Sequence, residues 1–229
     1  MEQLHNGYML EICDGGFPLS TDSMALASFA VLPRQAVVLD LGSGCGTLGL
    51  LLCASHPDCR VTGIELDENA HRTALANIEA NALSCRLTSI CADLNTIHTL
   101  VAPGSFTCCI SNPPYFSDGP HSKTIPLARR DDQCSPDALF KAAAWALKYG
   151  GDFYLVHRPE RLAELCACGA RYQLEPKKLC LLRHRPDGPV SLILLKCRKG
   201  GKPGLIWEEE SLHDANGSPT DYYKKLYHI

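Results

Sequence analysis

The sequence contains no apolar run near the roughly 20 residues that a bilayer-crossing helix needs. Its first residues, Met1-Glu2-Gln3-Leu4-His5, lack the basic start and apolar core of a secretory signal. No Cys-x-x-Cys pair occurs among the 13 cysteines, and the nearest spacings, Cys108-Cys109 and Cys166-Ala167-Cys168, suit zinc poorly. The cysteine count is odd, and most of these residues sit in apolar runs such as Leu50-Leu51-Leu52-Cys53, where thiols act as small hydrophobes. These absences argue against a membrane protein, an exported disulfide scaffold and a metal-held fold. They predict a cytoplasmic chain with reduced thiols and no metal.

A large charge excess is also missing, since the net charge is −3. The charges are nevertheless unevenly placed. Residues 1–100 carry four Arg or Lys against eleven Asp or Glu, whereas residues 171–204 carry nine basic side chains against Glu175 and Asp187. Such asymmetry marks a polyanion-binding surface or a lysine-protected sheet edge. Hydrophobic residues at 45% and charged residues at 21% are ordinary globular values.

The 229 residues suffice for one sizeable α/β domain. Val37-Val38-Leu39-Asp40-Leu41 reads as a buried parallel strand leading into glycines. Further strands are expected over 60–65, 86–91, 106–111 and 152–157. Helices are expected over 46–56, 67–82, 136–149 and 159–170, with Ala70, Ala74, Leu75 and Ile78 forming the buried face of the second. Gly150-Gly151 would close the third. Alternating strands and helices imply a doubly wound, mostly parallel sheet. The apolar runs 179–182 and 190–195 flank a turn-rich stretch, so an antiparallel hairpin should end that sheet. No linker or repeat divides the chain. It reads as a single domain over 1–229, with an N-terminal segment 1–36, a core 37–170 and a basic hairpin and tail 171–229.

Asp40-Leu41-Gly42-Ser43-Gly44-Cys45-Gly46 joins the first strand of that core to its first helix. Glycines there permit positive φ and close backbone approach to a ligand. The run Gly44-Cys45-Gly46-Thr47-Leu48-Gly49 also fits the dinucleotide pattern, with Glu65 about twenty residues on. Two ligands therefore remain open, a nicotinamide dinucleotide and S-adenosylmethionine. Asp40 at the strand end suits the methionine ammonium better than a pyrophosphate. Glu65 serves ribose hydroxyls in either case, and Asp93 can accept from an adenine amino group.

Ser111-Asn112-Pro113-Pro114-Tyr115 follows the fourth strand of the core. Two prolines fix φ, donate no hydrogen bond and hold Asn112 extended. A conjugated exocyclic nitrogen is a poor nucleophile because its lone pair is delocalised. The Asn112 side-chain oxygen and a backbone carbonyl near Pro113 can bind its two N–H groups and favour a pyramidal, attacking geometry. Tyr115 can stack on a base turned out of its strand. The segment thus predicts methyl transfer to a conjugated nitrogen.

Taken together, these blocks resemble the bacterial tRNA1(Val) adenine-N6 methyltransferase family, within the class I N6-adenine methyltransferases, over nearly the whole chain. Gly16 to Ala27 is similar to the family's N-terminal segment, which folds over the cofactor and would bring Thr21 to it. Asp40 to Gly46, Glu65, Asp93 and Asn112 to Tyr115 match its binding and catalytic motifs in order and spacing. Phe153 to Arg161 and Lys199 to Gly204 resemble segments of Gram-positive members. The resemblance implies S-adenosylmethionine as methyl donor, held by Thr21, Asp40, Gly42, Gly44, Gly46, Glu65, Asp93 and Asn112. It also implies a valine tRNA as substrate, methylated at the adenine 3′ of the anticodon.

For RNA contact, the basic side chains Lys177, Lys178, Arg183, Arg185, Lys199 and Lys202 are the candidates, with Arg129 beside the catalytic loop. Ion pairing of Arg129-Arg130 with Asp131-Asp132 competes for the last of these roles. His157 reads as a hydrogen-bonded structural histidine. Two other functions share these motifs: a release-factor glutamine methyltransferase and a non-catalytic RNA-binding module with a retained cofactor fold. The first of these normally carries a helical N-terminal domain, whereas only 36 residues precede the first core strand here.

Overall fold

The computed structural model describes residues 2–4, 6–115 and 135–228. Arg129, Arg130, Asp131 and Asp132 lie outside them. Ten strands and seven α-helices are found among the described residues. A two-stranded ribbon, β1 (Glu2–Gln3) and β2 (Met9–Leu10), precedes helix α1 (Thr21–Phe29). The core alternates β3 (Val37–Leu41), α2 (Thr47–Ser55), β4 (Arg60–Glu65), α3 (Glu68–Ala80), β5 (Leu87–Cys91), α4 (Ile97–Leu100) and β6 (Phe106–Ser111). Then follow α5 (Pro136–Ala146), β7 (Leu147–His157), α6 (Leu162–Arg171), β8 (Leu174–Arg183), β9 (Val190–Lys199), β10 (Ile206–Ser211) and α7 (Asp221–Tyr227).

Eight strands form one sheet in the order β10-β8-β9-β7-β6-β3-β4-β5. From β7 to β5 every neighbouring pair is parallel, as the βαβ rhythm requires. β9 runs antiparallel between β7 and β8, which is the expected hairpin. Period-two alternation sorts the strand residues into two cores. Val38, Ile110, Tyr154, Val156, Leu194 and Leu182 face α1 and α2, whereas Leu39, Cys109, Phe153, Leu155, Ile193 and Leu195 face α5 and α6. Each fully buried side chain of this kind contributes roughly 1.5–3 kcal/mol. Among the described residues no helix is long and apolar enough to cross a membrane.

Four local expectations are corrected. Helix α5 stops at Ala146, not Tyr149, because Leu147 pairs with Phe106 and starts β7. Gly150 and Gly151 form an irregularity within that strand rather than a helix stop, and a Cβ on Gly151 would stand 2.9 Å from the Lys148 and Thr107 carbonyl oxygens. On α3, Leu75 is exposed and Asn77 takes the buried position beside Ala74 and Ile78. The hairpin is not the sheet's edge: β10 adds outside it, parallel to β8. Its Glu208 and Glu209 pair with Lys178 and Arg183 across the strand boundary.

Candidate active site

The carboxyl ends of β3, β4, β5, β6 and β7 lie along one edge of the sheet, where ligands bind in open α/β folds. Asp40 is 1% exposed there, and neither of its carboxylate oxygens has a hydrogen-bond partner among the described residues. Burial, and then the nearby Glu65 carboxylate, push its acid up to about 8. A buried carboxylate of that kind favours either a proton or a cationic ligand.

The loop after β3 turns through Gly42, Gly44 and Gly46, with φ of 74°, 55° and 83°, values that L side chains adopt only with strain. The Gly42 and Ser43 amides donate to the Ile64 carbonyl at 2.9 and 3.0 Å, fastening the loop to β4. Glu65 closes it from the other side. Its Oε2 accepts from the Gly44 amide at 2.7 Å and its Oε1 from the Asp67 amide at 2.8 Å. Asp67 in turn caps α3, accepting from the Asn69 and Ala70 amides. Asp93 caps the short turn Leu94–Thr96 by accepting from the Asn95 amide at 2.8 Å.

Asn112 leaves β6 after Ser111, whose hydroxyl donates to the Leu41 carbonyl at 2.7 Å and fixes the two strand ends together. Its side-chain Nδ2 donates to the Ser23 hydroxyl at 3.0 Å, and its Oδ1 accepts from the Tyr115 hydroxyl at 3.2 Å. Burial, with Asp22 beside it, raises the Tyr115 phenol above its ordinary range, so the hydroxyl keeps its proton. The Tyr115 ring packs against His157 at 5.2 Å, with the Arg158 guanidinium 5.4 Å from its centroid. His157 is buried, and its Nδ1 accepts from the Arg158 amide at 2.8 Å. Burial and the flanking Arg161 and Arg158 lower it to about 4, leaving a neutral ring near neutral pH.

Asp40, Gly42, Gly44, Gly46, Glu65, Asp93 and Asn112 to Tyr115 therefore share one edge. Thr21 enters through α1, where its hydroxyl is engaged with the Tyr227 hydroxyl at 2.7 Å. A cavity of about 570 Å³ lined by Leu19, Met24, Leu51 and Tyr227 contains none of these acids.

The basic candidates are split. Strand register sets Arg183 beside Val190 and His157 beside Ile193, so Arg183 and Arg185 stand at the Asn112 edge. Lys199 lies six residues further down β9, about 20 Å toward the opposite edge. Lys177 and Lys202 share that far end, where the Lys177 Nζ donates to the Lys202 carbonyl at 2.9 Å. The Lys199 Nζ donates to the Ala144 and Leu147 carbonyls at 2.5 and 2.7 Å, completing the end of α5. Lys178 is ion-paired with Glu208 at 2.7 Å.

Two residues that motif reading passes over prove structurally central. Asn77 accepts from the Glu11 amide at 2.8 Å and donates to the Glu11 and Cys45 carbonyls, each at 2.9 Å. One turn on, Asn81 accepts from and donates to Met9. Together they bind the N-terminal strand and the glycine loop to α3. Their only signal in sequence is an asparagine pair at i, i+4 on a helix, where the side chain is a weak helix former.

Residues 21–164 match the family described as methyltransferase small domain. A tRNA1(Val) (adenine(37)-N6)-methyltransferase of Shewanella halifaxensis is 35% identical over 167 residues, which cover 72% of this chain and 66% of that one. Proteins of the same name from Photobacterium profundum and Porphyromonas gingivalis are 29% and 30% identical, covering 92% and 79% of this chain and 93% and 74% of theirs. A solved structure of a predicted O-methyltransferase from Agrobacterium tumefaciens is 22% identical, with a TM-score of 0.77 over 91% of this chain and 96% of that one. That last likeness concerns the fold. The chain belongs to the methyltransferase small domain family, alongside relatives named tRNA1(Val) (adenine(37)-N6)-methyltransferase.

Proposed function

We propose that this methyltransferase uses S-adenosylmethionine to methylate the N6 amino group of an adenine in tRNA, at the position 3′ of the anticodon of a valine tRNA. The observation that carries the reading is Asn112, whose carboxamide is oriented from both ends by Ser23 and Tyr115. A carbonyl oxygen has two lone pairs, so Oδ1 can accept an N–H from the substrate besides the Tyr115 hydroxyl. The backbone carbonyl near Pro113 takes the second N–H. Acceptors fixed before the reaction stabilise the pyramidal nitrogen without reorganising. Tyr115 offers its ring to the base, which displaces Arg158 from that face toward the RNA backbone.

The donor's site fits the residues present. The buried Asp40 carboxylate, which has no hydrogen-bond partner among the described residues, suits the methionine ammonium. Glu65 retains a free lone pair on each oxygen for ribose hydroxyls, and Asp93 serves the adenine amino group. The positive-φ glycines let the backbone come close, while Thr21 acts through α1, which lies over Asn112. Bound S-adenosylmethionine supplies an electrophilic methyl on a sulfonium. Supporting the choice of tRNA are the shared names of the relatives and the arginines at the Asn112 edge.

Radiolabelled S-adenosylmethionine with either total tRNA or purified release factor tests the proposal. Label in tRNA that disappears with Asn112→Ala is the expected result. Label in release factor alone, or in neither, refutes the adenine assignment.

A further inference from the structure

Residues 171–204 carry nine basic side chains. Seven are committed within the described residues: Arg171 to Asp137, Lys178 to Glu208, Arg183 to Glu209, Lys196 and Arg198 to Asp152, and Lys177 and Lys199 to backbone carbonyls. Arg185 and Lys202 make no side-chain hydrogen bond or ion pair among the described residues. They stand at opposite ends of the hairpin, and Arg185 stands at the end shared with Asn112.

Arg185 also borders an open surface cavity of about 460 Å³, lined by His184, Asp187 and Gly188 on its own turn and by His213 and Gly217 beyond β10. The His184 and His213 rings are within 16° of parallel, with centroids 6.4 Å apart. His213 is held from behind. Its ring contacts Tyr223 at 5.2 Å, Tyr223 stacks on Tyr227 at 4.3 Å, and the Tyr227 hydroxyl bonds to Thr21. Gly217, at φ 85°, carries the backbone past the guanidinium in a conformation that favours glycine.

We propose that this cavity is a subsite for one nucleotide of the RNA strand that flanks the target base. The proposal rests on the reading of the chain as a tRNA methyltransferase. A guanidinium takes phosphate oxygens through two parallel N–H groups, and among the described residues Arg185 has no side-chain bond to give up first. The parallel imidazoles offer flat faces to a base or ribose. Asp187 at the rim suits a singly charged phosphodiester better than a free polyphosphate. Three strand spacings, roughly 14 Å, separate the end of β8 from the end of β6. A continuous strand can therefore reach Arg185 with its target base at Asn112, passing Arg158, whose Nη1 donates to the Ser191 carbonyl on β9.

The test combines methylation kinetics on valine tRNA with binding of the same tRNA between 50 and 200 mM salt. Because Arg185 is exposed and makes no side-chain hydrogen bond or ion pair among the described residues, Arg185→Ala should fold like the parent, which circular dichroism checks. We expect Arg185→Ala to raise KM for tRNA about tenfold, with kcat within twofold and KM for S-adenosylmethionine unchanged. The slope of log affinity against log salt should fall by about 0.7–0.9, the signature of one lost phosphate contact. Arg185→Lys should restore part of the affinity, and Lys148→Ala should alter neither quantity. Parental KM and salt slope in Arg185→Ala overturn the subsite while leaving the function intact. Binding that depends on Arg185, without methyl transfer to any tRNA, supports the subsite and overturns the proposed function. Absence of both RNA binding and transfer overturns both.

Discussion

The Asn112 carboxamide Nδ2 lies 3.0 Å from the Ser23 hydroxyl, so the first turn of α1 orients the side chain at the end of β6. Removing the carboxamide should cost more than removing its support. Asn112→Ala is expected to lower kcat by two to three orders of magnitude, the usual scale for a lost fixed acceptor or donor. Ser23→Ala removes one neutral hydrogen bond and should lower kcat about tenfold. Cofactor affinity, measured by calorimetry with S-adenosylhomocysteine, should change little in Ser23→Ala. Equal kcat in the parent and both variants contradicts the role of this pair.

Asp40 makes ligand affinity and stability respond to pH in opposite directions. Its folded value, about 8, lies above the ordinary 3.8. Between these values the folded state holds a proton that the unfolded state has released, so this group's stabilisation is full below pH 4 and is lost as pH rises to 8. Over the upper part of that range Asp40 ionises and becomes the partner of an ammonium. S-adenosylhomocysteine should therefore bind more tightly at pH 8 than at pH 6, and Asp40→Asn should flatten that dependence and weaken binding at least tenfold at pH 8. Calorimetric titration across this range reads both effects.

Asn77 joins three backbone groups that otherwise lose their partners. Asn77→Ala should destabilise the protein by about 2–3 kcal/mol, since buried polar groups left unpaired cost more than the bond itself. The loss should appear first as faster amide exchange at Glu11. Unchanged protection there, with unchanged melting, argues against the clamp.

Lys199 ends α5 through two carbonyls. Lys199→Ala should lower stability by about 1–3 kcal/mol, the scale of charged hydrogen bonds, and chemical denaturation reads this directly. A variant of parental stability that loses tRNA affinity would return Lys199 to RNA contact.

The parallel core was legible because its strands are buried on both faces and its loops carry glycine or proline where the chain must turn. Asn112 to Tyr115 and the acids at strand ends were legible for the same reason: their positions follow from strand order alone. The end of α5 was not, because Leu147 to Tyr149 continue a helical pattern and only pairing with β6 draws Leu147 into a strand. The charge window 171–204 misled differently. It stopped before Glu208, Glu209 and Glu210, which fold back onto β8 and neutralise part of the basic hairpin. Sequence distance also concealed that Lys199 and Arg185 stand at opposite ends of the sheet. Nothing in the residue pattern announced that Ser23 would meet Asn112, 89 positions away.

The central claim is methyl transfer to N6 of an adenine in tRNA. Mass spectrometry of nucleosides from tRNA incubated with the protein and S-adenosylmethionine tests it most directly. The account predicts N6-methyladenosine, found in the anticodon-loop fragment of valine tRNA and formed at least about a hundredfold more slowly with Asn112→Ala. Methylation at another base atom, or N6-methyladenosine formed by Asn112→Ala at the parental rate, contradicts it.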